Sequence, residues 1–198
     1  MIASRRKSTL MSTALLTALT VFSAIPGLVA APALADEFSY SYFDLSYLHI
    51  DGANGGAGSG SIEFNENVRL FGGGGFANDS GVDVTSYTAG IGYIARFNDD
   101  VNLIVDLGYA GAKADFFFGE LKTDDVLVGA SLRLRASPEF EFEPSVGYLL
   151  GDTDELAYGV DARFWATSNV AIQLGIAGTS GGGDAAFTAG IRFGPKHR

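Results

Sequence analysis

The sequence contains no cysteine and only two histidines, His49 and His197, among 198 residues. Without cysteine the protein forms no disulfide, offers no thiolate nucleophile and binds no metal through sulfur. Positive charge is also scarce, with 13 Lys and Arg against 23 Asp and Glu and a formal net charge of −10. An acidic chain without a basic patch argues against a nucleic-acid partner. Residues 72–75 are all Gly but lack the following Lys and Ser or Thr of a phosphate-binding loop, so we expect no cofactor.

The first 35 residues have the features of a secretory signal. Basic residues occupy 5–7, residues 10–25 are mostly apolar, and Ala33-Leu34-Ala35 precedes Asp36. Small residues in this arrangement are typical of a signal-peptidase site, so we expect cleavage between Ala35 and Asp36. The predicted organisation is therefore a signal peptide over 1–35 and one domain over 36–198. Removing the three basic residues changes the formal net charge from −10 to −13.

Four short polar turns each precede a run of alternating apolar residues. The turns are Asn65-Glu66-Asn67, Asn98-Asp99-Asp100, Ala136-Ser137-Pro138-Glu139 and Thr167-Ser168-Asn169. Their recurrence every ~30 to 40 residues is typical of repeated β-hairpins. Five further connections are predicted at 51–58, 78–84, 116–122, 151–155 and 179–184. The ten resulting strands are predicted at 39–50, 58–64, 68–77, 85–97, 101–114, 123–136, 140–150, 156–166, 170–179 and 185–193.

The fold class predicted from these strands is all-β, an antiparallel up-and-down β-barrel of ten strands. Eight strands are the alternative, if the glycine-rich second and third strands merge or are lost. One face is almost wholly apolar, as in Tyr87 to Phe97 and Val101 to Tyr109, and the other carries the charges. Alternation alone fits a soluble barrel as well as a membrane barrel. Aromatic residues near strand ends, strands of roughly 10 to 13 residues and the export signal favour a transmembrane barrel in the outer membrane.

Three segments resemble the small outer-membrane β-barrel superfamily of Gram-negative bacteria, the OmpA/OmpX/opacity-protein-like group. They are residues 87–93, 101–109 and 187–193, within a resemblance that covers about residues 38–193. The resemblance implies contact with outer-membrane lipids and lipopolysaccharide, and insertion by the barrel assembly machinery. Members commonly end in an aromatic residue on the last strand; Phe193 fits, although five residues follow it. The chain lacks the length and the acidic-histidine constellations of the ten-stranded omptin-like proteases.

The charged face predicts a network of side chains inside the barrel. Its members are Asp44, Arg69, Arg96, Asp106, Arg133, Arg135, Glu141, Glu143, Asp161, Arg163 and Arg192. Arg–carboxylate contacts would satisfy one another in a narrow lumen, which predicts a polar plug. The predicted function is therefore an integral outer-membrane protein with a structural or surface-interaction role. A narrow passive porin-like channel is the alternative.

Three other features carry weaker hypotheses. The acidic connections could share divalent cations with lipid phosphates, but without fixed ligand spacing solvated charge is the favoured interpretation. Phe116-Phe117-Phe118 is interpreted as part of the aromatic belt, with a contact knob for a partner as the alternative. His49 with Asp51 could activate Ser59 or Ser61 in a lipid-active enzyme, but such a grouping is common by chance and we expect no enzyme. The sequence does not identify a surface ligand.

Overall fold

The computed structural model describes residues 38–50, 52–79, 82–117, 119–182 and 185–196, and the predicted signal peptide lies outside them. The chain forms ten strands. They are β1 (Tyr42–Ile50), β2 (Ala53–Asn65), β3 (Val68–Asp79), β4 (Val82–Asn98), β5 (Val101–Phe116), β6 (Gly119–Ser137), β7 (Phe140–Gly151), β8 (Glu155–Trp165), β9 (Val170–Thr179) and β10 (Ala186–Phe193). No helix in the described part of the chain is long and apolar enough to cross a membrane.

Each strand pairs antiparallel with the next, and β1 pairs with β10 to close the barrel. The ten-strand, up-and-down prediction is therefore confirmed, and eight strands is wrong. The glycine-rich β2 and β3 do not merge, because their close backbones form a full ladder. A Cβ at Gly55 would lie 1.9 Å from the carbonyl oxygen of Phe76, an approach that only glycine permits.

The four predicted turns share one local device. Asn65 and Asn98 each accept a hydrogen bond from the backbone N–H two residues on, at 2.9 Å. Ser137 and Thr167 do the same through their hydroxyls, at 3.3 and 3.2 Å. Such side chains compete locally with the sheet ladder and so reverse the chain. The register also shifts just before the first three turns, as expected of bulges that end a ladder.

The four turns, the start of β1 and the end of β10 lie at one end of the barrel. Bacterial outer-membrane barrels place their short turns and both chain ends in the periplasm, so we call this the periplasmic end. The opposite end is the outer end.

Several element boundaries differ from the sequence prediction. The first connection is not 51–58, because β2 already begins at Ala53 and the chain reverses at Gly52, whose φ is +85°. Strands β5 and β6 continue to Phe116 and from Gly119, so the third connection is also far shorter than 116–122. Residues 38–41 are not the start of β1. They form a separate segment at the periplasmic end.

The apolar face points outward and the polar face inward. Large apolar side chains cover the outside as a continuous band; examples are Leu45, Ile91, Leu107, Val128, Val146, Leu174 and Ile191, all exposed. Arginines, carboxylates and small residues fill the inside. A soluble barrel would have the reverse arrangement. The outward apolar band therefore matches a barrel whose solvent is lipid.

Candidate functional site in the barrel lumen

Four arginines are the largest fully buried side chains of the barrel: Arg69, Arg133, Arg163 and Arg192. They reach the lumen because all occupy inward positions of their strands. Each meets a carboxylate from a neighbouring or facing strand. Their nitrogen–oxygen distances are 2.7 Å in all four pairs, which are Arg69–Asp106, Arg133–Glu141, Arg163–Glu143 and Arg192–Asp44.

The geometry of these pairs fits charge-assisted hydrogen bonding. Arg192 donates to both oxygens of Asp44, from Nε at 2.8 Å and from Nη2 at 2.7 Å. Arg69 makes the same two-point contact with Asp106, at 3.3 and 2.7 Å. Bidentate contacts of this kind fix both partners and satisfy charges that are shielded from water. The pairs therefore join strands of the barrel through fixed side-chain contacts inside the lumen.

Two further arginines lie nearer the periplasmic end, where they are less deeply buried. Arg96 donates to Glu63 at 2.6 Å and to the carbonyl of Glu66 at 2.9 Å. Arg135 lies 3.6 Å from Asp100 in the second turn. Each of the six arginines thus has a carboxylate within 4 Å.

Asp161 is the carboxylate of the predicted network that takes part in none of these pairs. Among the described residues, no Lys, Arg or His nitrogen lies within 4.0 Å of it. Its hydrogen bond comes from the Gln173 amide, at 3.5 Å. Asp161, Glu143 and Arg163 line a cavity of about 60 Å³ between β6 and β10. A space of this size can hold a few water molecules beside these charges.

Clusters of buried apolar side chains lie above and below this charged layer. Toward the outer end Leu48, Ile50 and three alanines pack together, and Leu127 packs with Leu149. Toward the periplasm Phe38 and Tyr40 pack against Ile94 and Ile104. These side chains are almost fully buried, so apolar groups occupy the lumen on both sides of the charged layer.

The structure brings all eleven predicted charged residues into the barrel interior, where they contact several residues that the prediction omitted. Glu63 pairs with Arg96, and Asp100 with Arg135. The indole Nε1–H of Trp165 donates to Glu141 at 2.8 Å. The two-residue period of the strands could have identified Glu63 and Trp165, since each lies two residues after a side chain that points inward, Ser61 and Arg163 respectively. No sequence pattern identifies residues 38–41 as lumen residues, because that placement depends on the closed barrel.

Tyrosines mark the outer edge of the apolar band. The hydroxyls of Tyr87 and Tyr148 donate to Asp124 at 2.9 Å and to Asp154 at 3.1 Å, and Tyr47 donates to Asn54. Each ring thus has an apolar body beside the band and a polar tip above it, the arrangement favoured where lipid meets water.

Beyond this edge the β5–β6 hairpin becomes charged on its outward face. Lys113 and Lys122 stand opposite each other, and both contact Glu120, at 3.0 and 2.7 Å. Hydrogen bonds from Lys122 and Lys113 hold the pKa of Glu120 below its ordinary value. This end of the hairpin lies outside the apolar band. Phe117 at its tip is 92% exposed, and Phe118 lies outside the described residues.

The structure does not bring His49 together with Ser59 or Ser61, so the hypothesis that His49 activates one of these serines is wrong. His49 faces outward and its Nδ1 lies 3.0 Å from Asn54 Oδ1. Ser59 and Ser61 are buried on the inner face, so the sheet itself separates them from the imidazole. Asp51 lies outside the described residues. Within the described part of the chain, no group of three or more His, Asp or Glu could hold a metal ion.

Comparison with known proteins gives similarity of fold without similarity of sequence. No protein-family model and no curated protein sequence matches the chain. Among solved structures, the outer-membrane protease OmpT from Escherichia coli is similar with a TM-score of 0.54 and 9% identity, over 78% of this chain and 93% of that one. The KdgM porin matches with a TM-score of 0.48 and 12% identity, over 77% and 98%. Ail of Yersinia pestis matches with a TM-score of 0.39 and 21% identity, over 79% and 99%.

These observations define the class of the protein. A closed ten-strand barrel, a lipid-facing apolar band and a charged interior are the features of an integral outer-membrane protein. The chain has the fold of the small outer-membrane β-barrels.

Proposed function

We propose that this protein is a closed, non-enzymatic barrel that serves the outer membrane through its structure and its outer surface. The observation that carries the proposal is the occupied lumen, in which four fully buried arginines bind carboxylates on other strands. Charges held in this way stabilise the barrel only while they stay paired, since a lone buried charge is costly. An ion could pass only if these pairs separated.

The outer surface supports the second half of the proposal. Strands β4 to β6 contain 17, 16 and 19 residues, whereas β8 to β10 contain 11, 10 and 8. One side of the barrel therefore projects farther from the apolar band than the other. The projecting β5–β6 hairpin places the Phe117 ring at its tip, where a macromolecular partner would meet it first.

Planar-bilayer recording tests whether the lumen is closed. The folded protein should give no conductance steps. A variant that removes two whole pairs, with Arg69, Asp106, Arg163 and Glu143 each changed to Ala, should also give no steps, because apolar side chains still lie above and below the removed pairs. A difference in gel migration between unheated and heated samples would show that both proteins are folded. Steps from the unaltered protein would refute the plug and support the narrow channel.

A further inference from the structure

The chain that precedes β1 enters the barrel from the periplasmic end. Phe38 and Tyr40 have exposures of 0% and 1%, although no strand of the barrel contains them. Both side chains pack against Ile94 and Ile104, which face inward from β4 and β5 and are themselves 0% exposed. This segment, residues 38–41, covers the lower lumen, and we call it the lid.

Arginine side chains hold the lid in place. Arg133 donates from Nη1 to the carbonyl of Ser39 at 2.7 Å, and Arg96 donates to that of Phe38 at 3.3 Å. The Arg133 guanidinium carbon lies 4.7 Å from the centre of the Phe38 ring and 5.0 Å from that of Tyr40. Contacts at these distances fit cation–π attraction. Arginine side chains of the barrel therefore make direct contacts with both the backbone and the rings of the lid.

The same arginines remain paired without the lid. Arg133 keeps Glu141 at 2.7 Å and Arg96 keeps Glu63 at 2.6 Å, and neither carboxylate belongs to the lid. Departure of the lid would therefore leave no arginine without its carboxylate. The lid continues into β1 at Tyr42, and among the described residues the Ser39 N–H donates to the Lys196 carbonyl of the C-terminal segment at 3.5 Å.

We propose that residues 38–41 form a lid that controls access from the periplasm to the lower lumen and that can leave while the barrel stays folded. The lid concerns only the periplasmic mouth of the barrel. That the charged layer above the lid is closed rests on the proposed function. With the lid in place the mouth is sealed by two aromatic rings. With the lid displaced, Ile94 and Ile104 become the floor of an open pocket.

Cysteine labelling tests the lid, because the natural chain has no cysteine of its own. The reporter is Ile104→Cys, treated in folded protein with a membrane-impermeant maleimide. It should react slowly beside the intact lid and at least about tenfold faster when Phe38→Gly and Tyr40→Gly remove both rings. The control reporter is Leu127→Cys, which is buried toward the outer end and should stay unreactive in both backgrounds.

Two further variants separate the lid from general loosening. Phe38→Leu with Tyr40→Phe retains most of the apolar volume and should keep Ile104→Cys protected. If the double glycine variant does not fold, Phe38→Ala should still increase the rate of labelling. Equal rates with and without the rings would overturn the proposal, as would equal acceleration at Leu127→Cys. Conductance steps that appear only when Phe38→Gly and Tyr40→Gly remove both rings would refute the closed charged layer and leave the lid proposal intact.

Discussion

The pair formed by Asp44 and Arg192 joins the first and last strands, so it braces the seam at which the barrel closes. The two residues are directly opposite in the β1–β10 register, and their side chains are 4% and 1% exposed. The Tyr42 ring also covers Arg192, with its centre 3.4 Å from the guanidinium carbon. We expect Asp44→Asn to destabilise the barrel strongly, because Arg192 would remain charged and buried without its carboxylate.

The size of the effect follows from the burial of the pair. Breaking a buried ion pair by removing one partner costs about 3–5 kcal/mol, and an Asn that still accepts one hydrogen bond places the loss near the lower value. The matched control is Asp161→Asn, the same change at the lumen carboxylate that has no arginine within 4.0 Å among the described residues. Removing a charge that lacks such a partner should change stability by less than about 1 kcal/mol or increase it.

Urea unfolding in lipid vesicles measures both variants, and the chain contains a natural probe. Trp165 is the only tryptophan, and it is buried against Glu141. Its fluorescence therefore reports loss of lumen packing. Changing both Asp44→Asn and Arg192→Gln should cost less than the sum of the two single changes, since the pair is removed together. Equal losses from Asp44→Asn and Asp161→Asn would refute the argument that pairing, not burial alone, governs these charges.

The remaining predictions concern strand packing, the projecting hairpin and its tip. Gly90→Ala should destabilise the barrel by about 1–3 kcal/mol in the same urea assay, because the new Cβ would lie 2.4 Å from the Leu107 carbonyl oxygen, whereas Gly58→Ala meets only ordinary contacts and should be tolerated. Glu120 has a lowered pKa, so its ion pairs should stabilise the hairpin fully above its ordinary pKa of 4.5 and be lost as pH falls through the lowered value. Protection of the hairpin amides from hydrogen exchange should therefore decrease as the pH falls through the lowered pKa of Glu120. The Glu120→Gln variant should lose this pH dependence. Phe117→Ser should change stability by less than about 0.5 kcal/mol, and a larger loss would contradict its exposed position.

Local sequence patterns were sufficient to predict where the chain turns and which side chains of a strand share a face. Period-two alternation determines which side chains share a face, so Arg133 and Glu141 could be assigned to the lumen before their contact was known. Side-chain acceptors such as Asn65 and Asn98 determine where the chain turns, because they satisfy the backbone two residues away. These effects act between residues that are close together in the sequence.

Only the closed barrel decided which charges meet and what fills the ends of the lumen. Asp44 and Arg192 are 148 residues apart in sequence, and Arg133 and Ser39 are 94 apart. Such contacts depend on strand register and on closure of β1 against β10, which no local pattern specifies. The four turns therefore determined the number of strands and their direction. The tertiary structure alone placed residues 38–41 beneath the arginines and left Asp161 without an arginine within 4.0 Å among the described residues.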